Sequence, residues 1–252
     1  MPIQDADPAR IRVLLLDIEG TTTPIDFVYK TLFPYAGRNV EAFLRKHSGE
    51  AEIAALVRDL CGQRDADEAS GLQPTAWRDD SGCEATILSA VEYVRWLMAK
   101  DSKCTPLKAL QGKIWQQGFD AGELHGEVYD DVPRAFARWR RQGREICIYS
   151  SGSVLAQQIL FRTVVSGDLT VHIAGYFDTQ TGIKTAANSY RKIAASLGRE
   201  AQEFLFLSDA PKEIEAALAG GMRAILCDRN AHVKVLPGTA SAIHSFDEVF
   251  PD

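Results

Sequence analysis

No apolar run in this chain approaches the roughly 18 residues of a membrane-spanning helix, and no basic stripe is present. Lys and Arg number 28 against 34 Asp and Glu, a formal charge of −6. The electrostatic footprint of a nucleic-acid binder is therefore missing, and an acidic surface argues against docking on anionic membranes. Histidines number only five and none are paired at H-x-x-x-H spacing, which argues against a zinc site. The five cysteines (Cys61, Cys83, Cys104, Cys147 and Cys227) are odd in number and form no C-x-x-C pair. Cys147 and Cys227 fall in apolar runs and read as small buried hydrophobes. The opening residues, Met1-Pro-Ile-Gln-Asp-Ala-Asp-Pro8, are polar and acidic, unlike a signal peptide. A cytoplasmic location is the expectation.

What is present suits a globular protein: 252 residues, 46% of them hydrophobic, enough for one large domain or a core with an insert. The second half alternates buried-strand and helical patterns. Glu145–Tyr149, Phe204–Leu207 and Arg223–Cys227 read as strands. Helices are predicted over Val154–Val164, along the stripe Tyr190, Ile193, Ala194 and Leu197 closed by Gly198, and along Ile214, Ala217 and Leu218 ended by Gly220 and Gly221. Such a β-α-β-α order predicts an α/β fold with a parallel sheet and helices on both faces. Residues 25–129 differ. They read as mostly helical, with Leu107, Leu110, Ile114 and Trp115 at helical spacing and a turn-rich loop over Gly62–Cys83. Asp130-Asp131-Val-Pro133 then reads as an N-cap with proline in the first turn. The expected division is 1–24 with 130–252 as the core, and 25–129 as a helical domain inserted after the first strand.

Polar groups collect at strand ends. The run Ile11-Arg-Val-Leu-Leu-Leu leads into Asp17-Ile-Glu19-Gly20-Thr21-Thr22-Thr23-Pro24. A buried strand places Asp17 at its carboxyl end, where open α/β sheets build their sites. Two carboxylates at i and i+2 can divide labour, one as nucleophile and the other moving a proton. Tyr149-Ser150-Ser151-Gly152-Ser153 carries hydroxyls into a helix start, a setting that binds phosphate oxygens. Leu207-Ser208-Asp209 supplies another carboxylate after a strand, and Lys184 lies in a loop before a helix. Each segment taken alone also fits a plainer role: Asp17 and Asp209 as helix caps or turn starters, a serine of the 150–153 segment as an N-cap, and Lys184 as a surface cation. Together they suit a phosphate site in which Lys184 offsets the repulsion between carboxylate and phosphate.

The order strand-DxE, insert, strand-SSG, loop-Lys, strand-SD resembles the four motifs of the haloacid dehalogenase-like (HAD) superfamily. The first motif there is typically D-x-D. Asp17-Ile-Glu19, with Gly20-Thr-Thr-Thr23 and Leu32-Phe-Pro-Tyr35, looks like the enolase-phosphatase E1 family of methionine salvage. Leu110-Gln-Gly-Lys-Ile-Trp115, Gly118-Phe119, Val128-Tyr-Asp-Asp-Val-Pro133 and Lys184 with Ser189-Tyr190 are similar to that family's segments as well. The resemblance runs from about Val13 to Asp228 and implies a three-layer Rossmann-like core with a helical cap closing over the substrate. It also implies Mg²⁺-dependent enolisation and dephosphorylation of 2,3-diketo-5-methylthiopentyl 1-phosphate, a small-molecule phosphate, by a monomer with one Mg²⁺ per chain. Asp17 would be the nucleophile and a metal ligand. Glu19 would be the general acid/base and reach the metal through its carbonyl. Asp209 would complete the metal set, Ser150 and Ser151 would hold substrate, and Lys184 would bind its phosphate. Phe33, Tyr35, Trp77 and Trp115 would be candidates for the methylthio end, or ordinary cap core. Glu213, four residues after Asp209, reads as a carboxylate supporting the site or as a plain helix residue.

Three other readings compete. A phosphatase for another small metabolite would use the same catalytic residues. A receiver-like signalling module would also hold an aspartate, a hydroxyl, a lysine and Mg²⁺, but its acceptor would not lie on the first strand before a long insert. A scaffold with a vestigial site would leave an intact carboxylate set idle.

Overall fold

Strand β1 (Val13–Leu16) is four apolar residues with every side chain buried, because both of its faces are covered. In the computed structural model, which describes residues 10–78, 83–230 and 242–252, the chain then leaves the sheet. A π-helical stretch over Phe27–Leu32 leads into α1 (Phe33–His47), α2 (Ala51–Ala69), α3 (Cys83–Ala99) and α4 (Thr105–Asp120). The chain returns through α5 (Asp131–Arg141) to β2 (Glu145–Tyr149) and continues as α6 (Val154–Arg162), β3 (Ile173–Phe177) and α7 (Ala187–Ser196). It closes with β4 (Phe204–Ser208), α8 (Pro211–Ala219), β5 (Arg223–Cys227) and the short β6 (Ala242–Ile243). Two compact units result: Met1–Phe27 with His125–Asp252, and Val28–Leu124. Among the described residues no helix is long and apolar enough to cross a membrane.

The first unit is a six-stranded parallel sheet of order β3-β2-β1-β4-β5-β6. Leu16 pairs in register with Ile148 on one side and Leu207 on the other, so β1, β2 and β4 deliver their next residues to one edge. Alternation splits the strand residues between two faces. Val13, Leu15, Cys147, Phe204 and Phe206 share one core with Tyr190 and Ile193 of α7 and Ile214 and Ala217 of α8. Leu14, Leu16, Ile146 and Ile148 are buried on the other side, where α5 packs on β2 and Phe136, Trp139, Phe161 and Phe246 form an aromatic cluster. Cys147 and Cys227 are buried free thiols, their acidity suppressed by burial, which pushes each up to about 12.

The second unit packs α1 against α3 and α4, and α2 against the same two helices. Close approach of α1 and α4 requires a glycine: a Cβ on Gly118 would lie 2.6 Å from both Cζ and Oη of Tyr35. That hydroxyl donates to Glu123 Oε2 at 2.8 Å. Phe33 stacks on Trp115, whose Nε1 donates to the Leu32 carbonyl, whereas Trp77 packs edge-on against Tyr93. Phe33 and Trp115 thus share one cluster, while Trp77 belongs to another.

The folded chain departs from the sequence reading in three places. The loop expected over 62–83 is helical through Ala69: α2 is anchored by buried Ile53 and Leu60 in its first half, and its last turns are polar, with little apolar periodicity to reveal them. Asp130 precedes α5 but makes no capping hydrogen bond, and the Asp131 carboxylate is drawn to Arg229, Ser245 and the Phe246 amide instead. Strand β3 has no counterpart in the sequence reading; it is a half-buried edge strand that contains Gly175.

Candidate active site

Asp17 is the first residue past β1, and its amide donates to the Leu207 carbonyl of β4, continuing the ladder by one step. The chain then turns sharply. The amides of Thr21, Thr22 and Thr23 all point at the Ile18 carbonyl, and Gly20 N donates to Thr23 O. The hydroxyl of Thr22 donates to the Asp17 carbonyl at 3.1 Å. Gly20 has φ +72°, and a side chain there would overlap Oδ2 of Asp209. Glycine is thus required both for backbone conformation and for the approach of the second carboxylate. Asp209 follows β4, and its amide donates to Thr21 Oγ1 at 2.9 Å.

Lys184 reaches in from the loop before α7. Its Nζ lies 2.5 Å from Asp17 Oδ1 and 2.6 Å from Glu213 Oε2. Its main chain is held by Tyr190, whose hydroxyl donates to the Lys184 carbonyl at 2.7 Å. Glu213, in the first turn of α8, accepts from Ser208 Oγ at 2.8 Å. Ser150 and Ser151 follow β2. The Ser150 amide donates to the Phe177 carbonyl, and its hydroxyl accepts from Gly152 N at 3.3 Å. Gln157 fixes this turn by donating to the carbonyls of Gly152 and Phe177. Ser153 caps α6, accepting from Ala156 N. The cap reading thus belongs to Ser153, one turn away from Ser150 and Ser151.

Charge in this cluster is unbalanced. Asp17, Asp209 and Glu213 face one ammonium. Burial pushes the Asp17 carboxyl up to about 7; Lys184 opposes this, and Glu213 and Asp209 reinforce it. Asp209 is pushed up to about 6 by burial and by Glu213, with Lys184 opposing and half-buried Glu19 adding to the rise. Burial weakens the charge on Lys184, but Asp17 and Glu213 more than offset it and hold the ammonium charged. Desolvation and like-charge crowding of this kind cluster at functional sites.

The model of haloacid dehalogenase-like hydrolases matches residues 11–221. Enolase-phosphatase E1 of Synechococcus elongatus is 48% identical over 242 residues, covering 96% of this chain and 99% of that protein. The enzyme of that name from Drosophila willistoni is 45% identical over 219 residues, covering 87% of each. The chain belongs to the enolase-phosphatase E1 family of haloacid dehalogenase-like hydrolases. The crystal structure of UTR4 protein from Saccharomyces cerevisiae has the same fold, with a TM-score of 0.74 and 32% identity over 95% of this chain and all of that one.

Within this family member, the sheet unit brings together Asp17, Lys184 and Asp209, and adds Glu213. Glu19 and the Ser150–Ser151 turn stand at the same sheet edge. Sequence reasoning missed Arg229. Its Nε and Nη2 both donate to the Thr21 carbonyl, at 3.0 and 2.7 Å, and its Nη1 donates to Asp131. The only signal was a basic residue just past a strand end.

Proposed function

We propose that this phosphatase converts 2,3-diketo-5-methylthiopentyl 1-phosphate to 1,2-dihydroxy-3-keto-5-methylthiopentene and phosphate, enolising the substrate before dephosphorylating it, as a step of methionine salvage. The observation that carries the reading is the convergence of Asp17, Lys184, Asp209 and Glu213 at one edge of the sheet, in a chain 48% identical over nearly its whole length to an enolase-phosphatase E1. Asp17 Oδ attacks phosphorus, the ester P–O bond breaks, and Glu19 gives the leaving enol oxygen its proton. Water then attacks the aspartyl-phosphate, Glu19 takes a proton from it, and Asp17 is released. Lys184 binds the phosphate and neutralises charge that would repel the nucleophile. Ser150 and Ser151 hold substrate oxygens.

A hard dication fits the donor set. Three carboxylates around one ammonium leave an excess of negative charge, and the carboxyls of Asp17 and Asp209 are raised by burial first and by Glu213 as well, a setting that a bound dication would relieve. Among the described residues no cluster of three or more His, Cys, Asp and Glu side chains is arranged to hold a metal. Mg²⁺ does not need one, because it keeps several waters and takes one or two carboxylates plus phosphate. Asp17, Asp209 and the Glu19 carbonyl would hold one Mg²⁺, which would supply charge neutralisation to the phosphoryl group. Action as a monomer on a small phosphate ester, in the cytoplasm, belongs to the same reading.

The test is multiple-turnover release of phosphate from the diketone phosphate, with ultraviolet detection of the enediol. Both products should appear, require Mg²⁺, and fall on the order of a thousandfold or more in Asp17→Asn. Phosphate released only from other esters would leave the nucleophile in place and sink the substrate assignment.

A further inference from the structure

Arg229 lies two residues beyond β5, and its side chain is only 5% exposed. It is fixed on every side the structure describes. Its guanidinium lies 4.3 Å from the centroid of Tyr129 and 4.4 Å from that of Phe246. Its Nη1 donates to Asp131 Oδ2 at 2.5 Å, and that oxygen also accepts from Ser245 Oγ at 2.8 Å and from the Phe246 amide at 2.6 Å. The remaining edge of the guanidinium, Nε and Nη2, is spent on a single atom, the carbonyl oxygen of Thr21.

Thr21 is fully buried, so its carbonyl needs a partner inside the protein. Its hydroxyl is the acceptor for the amide of Asp209. One residue earlier, Gly20 lies against the Asp209 carboxylate with no room for a methyl group. A continuous set of contacts therefore runs from Asp131 through Arg229 and the Thr21 peptide to the main chain of Asp209. The same turn begins at Asp17. We infer that Arg229 is a positioning residue: by clamping the Thr21 peptide it sets where Asp209 stands relative to Asp17, and hence how well the pair takes up Mg²⁺. This rests on the reading of Asp17 and Asp209 as magnesium ligands. Physically, the arrangement resembles the outer partners that orient metal ligands elsewhere, acting here through a main-chain amide rather than through the ligand's own carboxylate. A lysine could supply charge but not the fork of two donors on one oxygen, so Arg229→Lys should be only a partial substitute.

The experiment titrates Mg²⁺ alone into the full chain by calorimetry, with thermal melts alongside. The proteins are the unaltered chain, Arg229→Gln, Arg229→Lys, Thr21→Val, Thr21→Ser and Arg134→Ala. The Mg²⁺ dissociation constant should rise about tenfold or more in Arg229→Gln and in Thr21→Val. Thr21→Ser keeps the acceptor for Asp209 and should stay close to the unaltered protein. Arg134→Ala removes an ion pair with Asp247 on the half-exposed outer face of α5, and should shift the melt without shifting Mg²⁺ affinity. If Arg229→Gln fails to fold, Arg229→Lys carries the test of the arginine, and the contrast between Thr21→Val and Thr21→Ser tests the last link, from the Thr21 hydroxyl to the Asp209 amide. Unchanged affinity in folded Arg229→Gln and Thr21→Val would overturn this inference alone. Absence of Mg²⁺ binding by the unaltered chain would overturn the metal reading and this inference with it.

Discussion

Lys184 sits between Asp17 and Glu213 at nearly equal distances, and its ammonium is shared rather than owned by either. Glu213 thus acts on the nucleophile twice, by holding Lys184 in place and by adding negative charge that raises the Asp17 carboxyl. Replacing it separates the two effects. In Glu213→Gln, the amide keeps a hydrogen-bonding group near Lys184 but removes the charge. The Asp17 carboxyl should then ionise more easily, so the acidic limb of the kcat/KM profile should move to lower pH. Activity on the plateau should fall about tenfold or more, because Lys184 is held less well. An acidic limb that stays in place would show that Glu213 is only a helix residue. These positions were legible in the sequence for a common reason. Asp17 and Asp209 each follow an apolar run, so a strand end could be inferred for them, and Lys184 gained meaning from their company. Arg229 and Asp131 were not legible as a pair. They stand 98 positions apart, and only the folded chain shows that both serve the Thr21 turn.

At the scale of elements, two glycines inside helices of the second unit show how context sets the sign of one substitution. Gly62 lies in α2 with nothing within 4 Å of where its Cβ would be, whereas Gly118 in α4 faces the Tyr35 ring. Alanine gains about 0.8–1 kcal/mol over glycine in a helix interior, so Gly62→Ala should stabilise the protein by up to that amount. Gly118→Ala has the same propensity gain but forces Tyr35 off its contact, and overpacking of this kind costs about 1–3 kcal/mol. The urea midpoint should therefore rise for the first and fall for the second; a rise for both would mean that the α1–α4 contact yields easily. The elements read correctly from sequence were those with strong periodicity or full burial, such as β4, with all five residues buried, and α7, with its Tyr190–Ile193–Ala194 stripe. Strand β3 escaped because Ile173-Ala-Gly-Tyr-Phe177 is partly exposed along its length and contains a glycine, so neither alternation nor an unbroken apolar run marks it. The far edge, β6, is two residues long and has no local signature at all.

For the molecule as a whole, the strand order decides where charge accumulates. Central β1 pairs with both β2 and β4, so the crossovers part at its carboxyl end and leave a crevice there. Folding carries Asp17 and Asp209 into that crevice, and this has a measurable consequence for the metal-free protein. Both carboxyls start from an unfolded value of 3.8 and are raised on folding, Asp17 to about 7 and Asp209 to about 6. Between these values the folded protein keeps protons that the unfolded chain has released. The stability they contribute is present in full below the unfolded value and is lost as pH rises through the folded values. In the presence of a chelator, the melting temperature should therefore fall from about pH 5 to about pH 8, and Asp17→Asn, which has no proton to lose at that position, should show a flatter fall. Saturating Mg²⁺ should raise the unaltered protein most at the alkaline end, where both carboxylates are ionised and share the single ammonium of Lys184. His172, whose pKa is lowered by burial and by Arg140, contributes in the opposite direction and is common to both proteins, so the difference between them isolates position 17. Equal slopes for the unaltered chain and Asp17→Asn would mean that Asp17 is already ionised in the folded protein, with Lys184 alone sufficient to hold its charge.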